Sequence, residues 1–317
     1  VSMLVRAPAG VRMGRPLVRV GLPRCGGRWV EVAPQLNSQA QINSLAAFNG
    51  KLYGGTGGAG RLFEWNDVDA WVQVAPQLNS QGLIDALAVF NGKLYGGTGN
   101  RSRLFEWNDV DAWVQVAPQL DGQYYIKSLA VFNGKLYGGT YSGGRLFEWN
   151  GVDAWVEVAP QLNGQYYINA LAVFNGKLYG GTASGGRLFE WNGVDAWVQV
   201  APQLGSQTAV HALVVFNEKL YGSGSGGLLC EWNGVDAWVE VAPQLRDQAV
   251  VLSLVVFNGK LYSGGAAGLL GEWNGLDRWV QVARQLNSQS HIYSLAVFDE
   301  KLYGGTYPGG RLFRWDG

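Results

Sequence analysis

INSLAAFNGKLYGGTGGAGRLFEWNDVDAWVQVA, residues 42–75, holds four short runs of apolar and aromatic residues divided by turn residues. The runs cover 42–48, 51–56, 61–65 and 71–75, each of strand length, with connections rich in Gly, Asn and Asp between them. Asn49-Gly50 joins the first two, and both residues tolerate positive φ, which favours a type I′ hairpin. Gly57-Gly58-Ala59-Gly60 joins the second to the third, and Asn66-Asp67-Val68-Asp69-Ala70 the third to the fourth. No apolar period of 3.6 residues runs through the stretch, and its glycines penalise helix. The reading is all-β.

The same stretch recurs along the chain. A Trp-Val pair begins at Trp29, Trp71, Trp113, Trp155, Trp197, Trp238 and Trp279, a period of 42 residues four times and then of 41 twice. The second Trp recurs at Trp65, Trp107, Trp149, Trp191, Trp232, Trp273 and Trp315, and the two sets account for all 14 tryptophans. A repeat of this length with four strands per unit predicts a seven-bladed β-propeller with four antiparallel strands per blade. The chain ends just after a third strand, whereas the repeats open on an orphan fourth strand at 29–33. Pairing that strand with the last unit completes the seventh blade from both ends of the chain and leaves no open edge. Residues 29–317 therefore form one domain, preceded by a basic non-repeat segment, 1–28. Tryptophans at fixed strand positions are expected to pack blade against blade.

Formal charge is nil, with 24 basic and 24 acidic residues, but residues 1–28 hold six arginines and no acid. The propeller itself is mildly acidic, which argues against nucleic acid as a partner. No apolar run reaches the length of a membrane span, so no membrane association is expected and the cytoplasm is the favoured compartment. Two cysteines make no disulfide framework: Cys25 lies in the basic segment, and Cys230 replaces the Phe of Leu-Phe-Glu-Trp.

Catalytic patterns are missing from the sequence. His211 and His291 have no Cys or carboxylate cluster at metal-ligand spacing, and no nucleophile has a nominated base. Neither a metal nor a cofactor is expected, and no enzymatic activity. Glu64, Glu106, Glu148, Glu190, Glu231 and Glu272 recur once per blade, with Arg314 in the seventh, which suggests a structural pair with the lysine of Lys-Leu-Tyr. The second Asp of each Asn-x-Val-Asp turn is expected to accept backbone N–H groups.

The repeats disagree just beyond a fixed Gln (Gln39, Gln81, Gln123, Gln165, Gln207, Gln248, Gln289). Four residues on stand Asn43, Asp85, Lys127, Asn169, His211, Leu252 and Tyr293; two residues on stand Gln41, Leu83, Tyr125, Tyr167, Ala209, Val250 and His291. Both sets fall at the connection between fourth and first strands, on the same rim as the second-to-third-strand tips. Variable positions on a rigid scaffold are where binding specificity resides. Asn43, Asp85, Tyr125, Lys127, Tyr167, Asn169, His211, Leu252, His291 and Tyr293 are the candidate partner-binding residues. A second set, Arg61, Arg103, Arg145, Arg187 and Arg311, opens the third strand in five blades and forms a candidate arc for anions or glycans. Thr56, Thr98, Thr140, Thr182 and Thr306 accompany these arginines, and both residue types are lost together in the fifth and sixth blades. That joint loss implies that they are hairpin neighbours or share a ligand.

The order of apolar strand, Asn-Gly hairpin, Leu-Tyr-Gly-Gly (Gly54-Gly55), aromatic third strand and Trp71 resembles a kelch-type blade. Residues 29–317 are also similar to highly repetitive bacterial propellers whose blades arise by recent duplication. The chain departs from the kelch pattern in carrying Phe and Trp where Tyr-Asp is more usual. The resemblance implies a recognition platform, and some lectin propellers bind sugars between blades. Copper-radical oxidases on a kelch-like scaffold need a Cys-linked Tyr and two His ligands, a set with no match in this sequence. The expectation is a monomeric, non-catalytic scaffold that binds a protein or peptide at the variable rim. The alternatives are a lectin using the repeated Thr, Arg and Gln positions, and an amplified propeller without a specific small ligand.

Overall fold

The structure, a computed structural model, describes residues 27–35, 39–76, 82–120, 122–160, 162, 164–204, 207–283, 285, 286 and 288–317. Arg6, Arg12, Arg15, Arg19, Arg24, Cys25 and Gln81 lie outside the described residues. The described residues form 28 strands and no helix, arranged as seven four-stranded antiparallel blades. The strands of the first blade, Gln41–Phe48, Lys51–Gly57, Leu62–Trp65 and Trp71–Ala75, match the runs read from the sequence to within a residue at each end. First strands of successive blades touch one another around a closed inner ring.

The seventh blade is composite. Arg28–Ala33 pairs antiparallel with Leu312–Asp316, in register Arg28↔Asp316 and Trp29↔Trp315. This strand starts at Arg28, so the last arginine of the basic segment already belongs to the sheet. The ring thus closes by backbone hydrogen bonds between the two ends of the propeller. Neighbouring blades are also stitched at one rim, where the end of a second strand bridges the next blade's first strand, as at Gly57↔Leu83 and Tyr141↔Tyr167.

Aromatic residues carry the blade-to-blade packing. Trp149 lies 5.0 Å from Tyr95 and 6.1 Å from Phe90 of the preceding blade, centroid to centroid. The same triad forms at Trp65, Trp191, Trp232 and Trp273, with each Trp edge-to-face against the Phe and tilted against the Tyr across the wall. The Gly-Gly pair makes room for the next blade. A Cβ on Gly55 would come within 2.7 Å of the Ile84 side chain, so glycine lets that first strand approach.

Local polar groups fix the turns. Asn49 and Gly50 both adopt positive φ, 46° and 70°, as a type I′ hairpin requires. Each lysine of Lys-Leu-Tyr pairs with the third-strand glutamate of its own blade, at 2.6 Å for Lys51–Glu64, and the adjacent tyrosine donates to the same carboxylate, as Tyr95 does to Glu106 at 2.8 Å. The seventh blade inverts the pattern. Arg314 replaces Glu and binds Asp316 at 2.8 Å, while Lys301 turns to Asp299. In the third turn, Asn rather than Asp caps the backbone. Asn66 Oδ1 accepts from the N–H groups of Val68, Asp69 and Ala70, and its Nδ2 donates to Asp69. The expected role of the Asp thus belongs to the Asn, whose carbonyl oxygen reaches three donors that converge on it.

Candidate functional site in the central channel

Every first strand contains a β-bulge at the same place. In the first blade Ile42 faces Thr56 and Ser44 faces Gly55, leaving Asn43 as the extra residue. The equivalent extra residues are Asp85, Lys127, Asn169, His211, Leu252 and Tyr293. A bulge turns its extra side chain out of the ladder. Here it turns the most variable residue of each blade toward the axis, where all of these residues line one cavity of about 830 Å³. They therefore lie inside the channel, deeper than the loop rim on which the sequence reading set them.

Rings of side chains stack along this cavity. Gln41, Leu83, Tyr125 and Tyr167 stand at its mouth with Tyr141 and Ala183 from the second-strand ends. The bulge residues form the middle. Leu45, Leu87, Leu129, Leu171, Leu213, Leu254 and Leu295, one from each blade, form the ring beyond it, and the valines two residues farther along most of these strands, Val89 and Val131 among them, remain exposed. His291 flanks the mouth, 5.7 Å from the Tyr293 ring and 6.1 Å from Tyr307.

The middle ring is polar on one side and apolar on the other. Lys127 Nζ donates to Asp85 Oδ2 at 3.2 Å, and Asn43 Nδ2 donates to Asp85 Oδ1 at 3.3 Å, so three blades meet on one carboxylate. Burial pushes the Asp85 pKa up, and Lys127 opposes that rise. Lys127 also stands 4.9 Å from the centre of the Tyr125 ring. Farther round, Asn169 Nδ2 contacts His211 Nδ1 at 3.3 Å, and His211 Nε2 contacts Ser225 Oγ at 3.1 Å. Burial first, then the charge of Lys127, lower the His211 pKa and keep its ring neutral. Leu252 and Tyr293 complete the ring with an apolar wall.

Tyrosines crowd one sector of the mouth. Tyr141 lies between Tyr125 and Tyr167, at centroid distances of 5.0 and 4.0 Å, with Tyr124 and Tyr166 exposed beside them. Tyr141 and Tyr307 were not legible as site residues, because the second-strand tips read as loops; their signal was variability directly after the repeated Thr. Among the described residues, no group of three or more His, Cys, Asp or Glu is placed to hold a metal ion. No helix among them is long and apolar enough to cross a membrane.

The arginine set is separate. None of Arg61, Arg103, Arg145, Arg187 and Arg311 lines the channel. Arg145 pairs with Glu157 at 3.1 Å and Arg311 with Glu31 at 3.0 Å, each within its own blade. Thr and Arg prove to be hairpin neighbours, since the Thr56 hydroxyl bonds the Arg61 backbone and the buried Gln39 side chain. Among the described residues, the repeated Thr and Gln positions are fully or almost fully buried, so they hold the hairpin rather than face a sugar.

No protein-family model matches the chain, and no curated protein matches it. Solved structures do. A YCF48 bound to a D1 peptide superposes with a TM-score of 0.69 at 16% identity, covering 92% of this chain and 97% of that one. The WD40 β-propeller domain of Doa1 gives 0.69 at 15% identity, covering 90% and 96%. A catalytically inactive virginiamycin B lyase from Staphylococcus aureus with quinupristin gives 0.77 at 11% identity, covering 92% and 99%. At such identities the likeness is one of fold: this chain is built as a β-propeller.

Proposed function

We propose that this protein is a non-catalytic recognition scaffold that binds a protein or peptide partner at the mouth of its central channel. One observation carries the reading: the framework repeats almost unchanged, while the seven bulge residues differ in chemistry and converge on one cavity. A scaffold that holds its differences in one place presents an irregular surface suited to one irregular partner. The same architecture with a bound peptide is known for YCF48, which supports the reading by analogy. The kelch-type resemblance of the blades points the same way. To test it, a random-peptide library is selected on the intact chain, and binders are measured against a Tyr125→Ala, Tyr141→Ala, Tyr167→Ala variant. Binding weakened at least tenfold is expected; unchanged binding removes the channel mouth as the site.

A second reading, a lectin, draws on a different feature. Hollows of about 610, 560 and 640 Å³ recur between blades, each bordered by the same Phe, Asn, Lys, Tyr, Glu and Trp positions. Repeated equivalent sites suit a multivalent glycan. The rings there are buried in the blade wall, however, which leaves only edges and the Lys–Glu pair for contact. A glycan array separates the readings: multivalent capture of one sugar favours the lectin, and silence favours the channel.

A further inference from the structure

Granting that the channel mouth takes a peptide, the geometry points to a narrower ligand: we infer that the channel receives the free carboxyl end of a chain whose last side chain is apolar. The first ground is shape. The ring of blades is closed around the cavity, so a chain can enter along the axis only by one of its ends or as a loop tip. A loop tip would need two strands abreast, about 4.8 Å apart, in a space whose middle is already narrowed by seven inward side chains. A chain end needs the width of one.

Charge supplies the second ground. Lys127 is the one lysine or arginine among the residues lining the cavity. Its ammonium has three donors. One goes to Asp85, and the Tyr125 ring lies beside it. Its counter-ion is nearly buried: the Asp85 side chain is 10% exposed, against 31% for Lys127, so the cation stands on the cavity side of the pair. Both Asp85 oxygens are taken, by Asn43 and Lys127. The charge left facing an incoming group is therefore positive, at mid-depth, where a terminal carboxylate would arrive. Capture of a chain's terminal carboxylate is an established mode of peptide recognition.

The third ground is what lies past that point. Leu252 and the Leu254 and Leu295 side chains make an apolar corner beside and beneath the polar ring. A last side chain resting there would be shielded from water, while its carboxylate turned across the channel to Lys127. An apolar residue gains from that burial, whereas a charged one would lose its hydration. The stacked Tyr125, Tyr141 and Tyr167 rings then flank the preceding residues of the peptide.

The test uses the full chain and synthetic random heptapeptides on beads, in two series that differ only in a free or an amidated carboxyl end. The expected result is capture of free-acid peptides ending in Leu, Ile, Val, Met or Phe, weakened tenfold or more by amidation. Replacing Lys127 alone would strand Asp85, so the probing variant is Asp85→Asn with Lys127→Met, which removes the ion pair as a unit. It should abolish the preference for free acids. A Leu252→Gln variant should relax the preference at the last position. Equal capture of both series overturns the inference; if that capture is lost in the tyrosine variant, the channel-mouth reading survives. Amidated peptides held through internal Asp or Glu would also overturn it, by showing that the carboxylate comes from a side chain. Capture of either series that is indifferent to the tyrosines overturns both readings.

Discussion

Single residues reveal where the repeat has been bent to a local need. The second hairpin residue is Gly in five blades, but Glu218 and Glu300 hold the same left-handed conformation, at φ 60° and 55°. A non-glycine residue there is strained by contact between Cβ and the backbone. Glu218→Gly and Glu300→Gly should each raise stability by about 0.5–1 kcal/mol, read as a higher denaturant midpoint at unchanged slope. His211 gives a pH dependence. Its folded pKa is lowered from 6.5, so below that value the unfolded chain binds a proton that the native site refuses. Its contribution is complete above 6.5 and is lost as pH falls through and below it. Between about pH 7.5 and pH 5.5, wild type should lose more stability than His211→Asn; equal losses would show that this ring does not titrate with unfolding. The sequence showed that position 211 varies, but not its depth, because a bulge is a pairing irregularity and leaves no mark in an alternating pattern. The Asn66 cap was hidden for a similar reason, since Asn and Asp both favour such turns.

At the scale of elements, the fifth and sixth blades repair what they lost. The Thr hydroxyl of the other blades bonds the backbone of the third-strand residue opposite it, and in several of them the fixed Gln as well. In the fifth blade Ser223 donates to the Leu228 carbonyl, and in the sixth Ser263 donates to Gln248. Each serine comes from an earlier strand position than the Thr, Ser223 from the place of Gly55 and Ser263 from the place of Gly54. The tip, one residue shorter, draws the backbone in: a Cβ on Gly224 would lie 1.9 Å from the Ala209 carbonyl oxygen. Gly224→Ala should therefore cost about 1–3 kcal/mol, measurable by thermal unfolding, whereas Ser225→Ala should have little effect on folding. The hairpins themselves were legible because Asn-Gly and the glycine tips are local signals. The Thr-to-Ser relay was not, because it joins residues across a turn of altered length. The closing strand is an element with a test of its own. Removing residues 1–26 keeps Arg28–Ala33 and should leave the melting temperature unchanged. Removing 1–33 exposes the edge of Leu312–Asp316 and should cause aggregation or a marked fall in melting temperature.

Across the whole molecule the seven walls are built alike, so their differences locate the weakest one. Six blades pair a second-strand glycine with Phe or Cys on the third strand, as Gly54↔Phe63 and Gly222↔Cys230; the sixth pairs Ser263↔Gly271. With the large side chain gone, Trp273 is only half-buried, Leu252–Phe257 are all partly exposed, and the last strand shrinks to Trp279–Gln281. Fewer buried contacts and fewer ladder bonds mean a lower local opening energy. Hydrogen exchange should therefore be fastest, among the strands, in Val251–Phe257 and Trp279–Gln281. The defect is a pair, which dictates how to mend it. A Cβ on Gly271 would sit 2.6 Å from Ser263 Oγ and 3.0 Å from Leu245 Cδ2, so Gly271→Phe alone should destabilise. Combined with Ser263→Gly, it restores the arrangement of the other walls and should slow exchange in this blade toward theirs. The cost is the Ser263–Gln248 hydrogen bond, about 1 kcal/mol, against burial of a Phe side chain worth about 1.5–3 kcal/mol, so the double variant should melt higher than wild type. If both variants melt lower, the sixth blade is fitted to its own packing, and the exchange pattern must arise elsewhere in the ring.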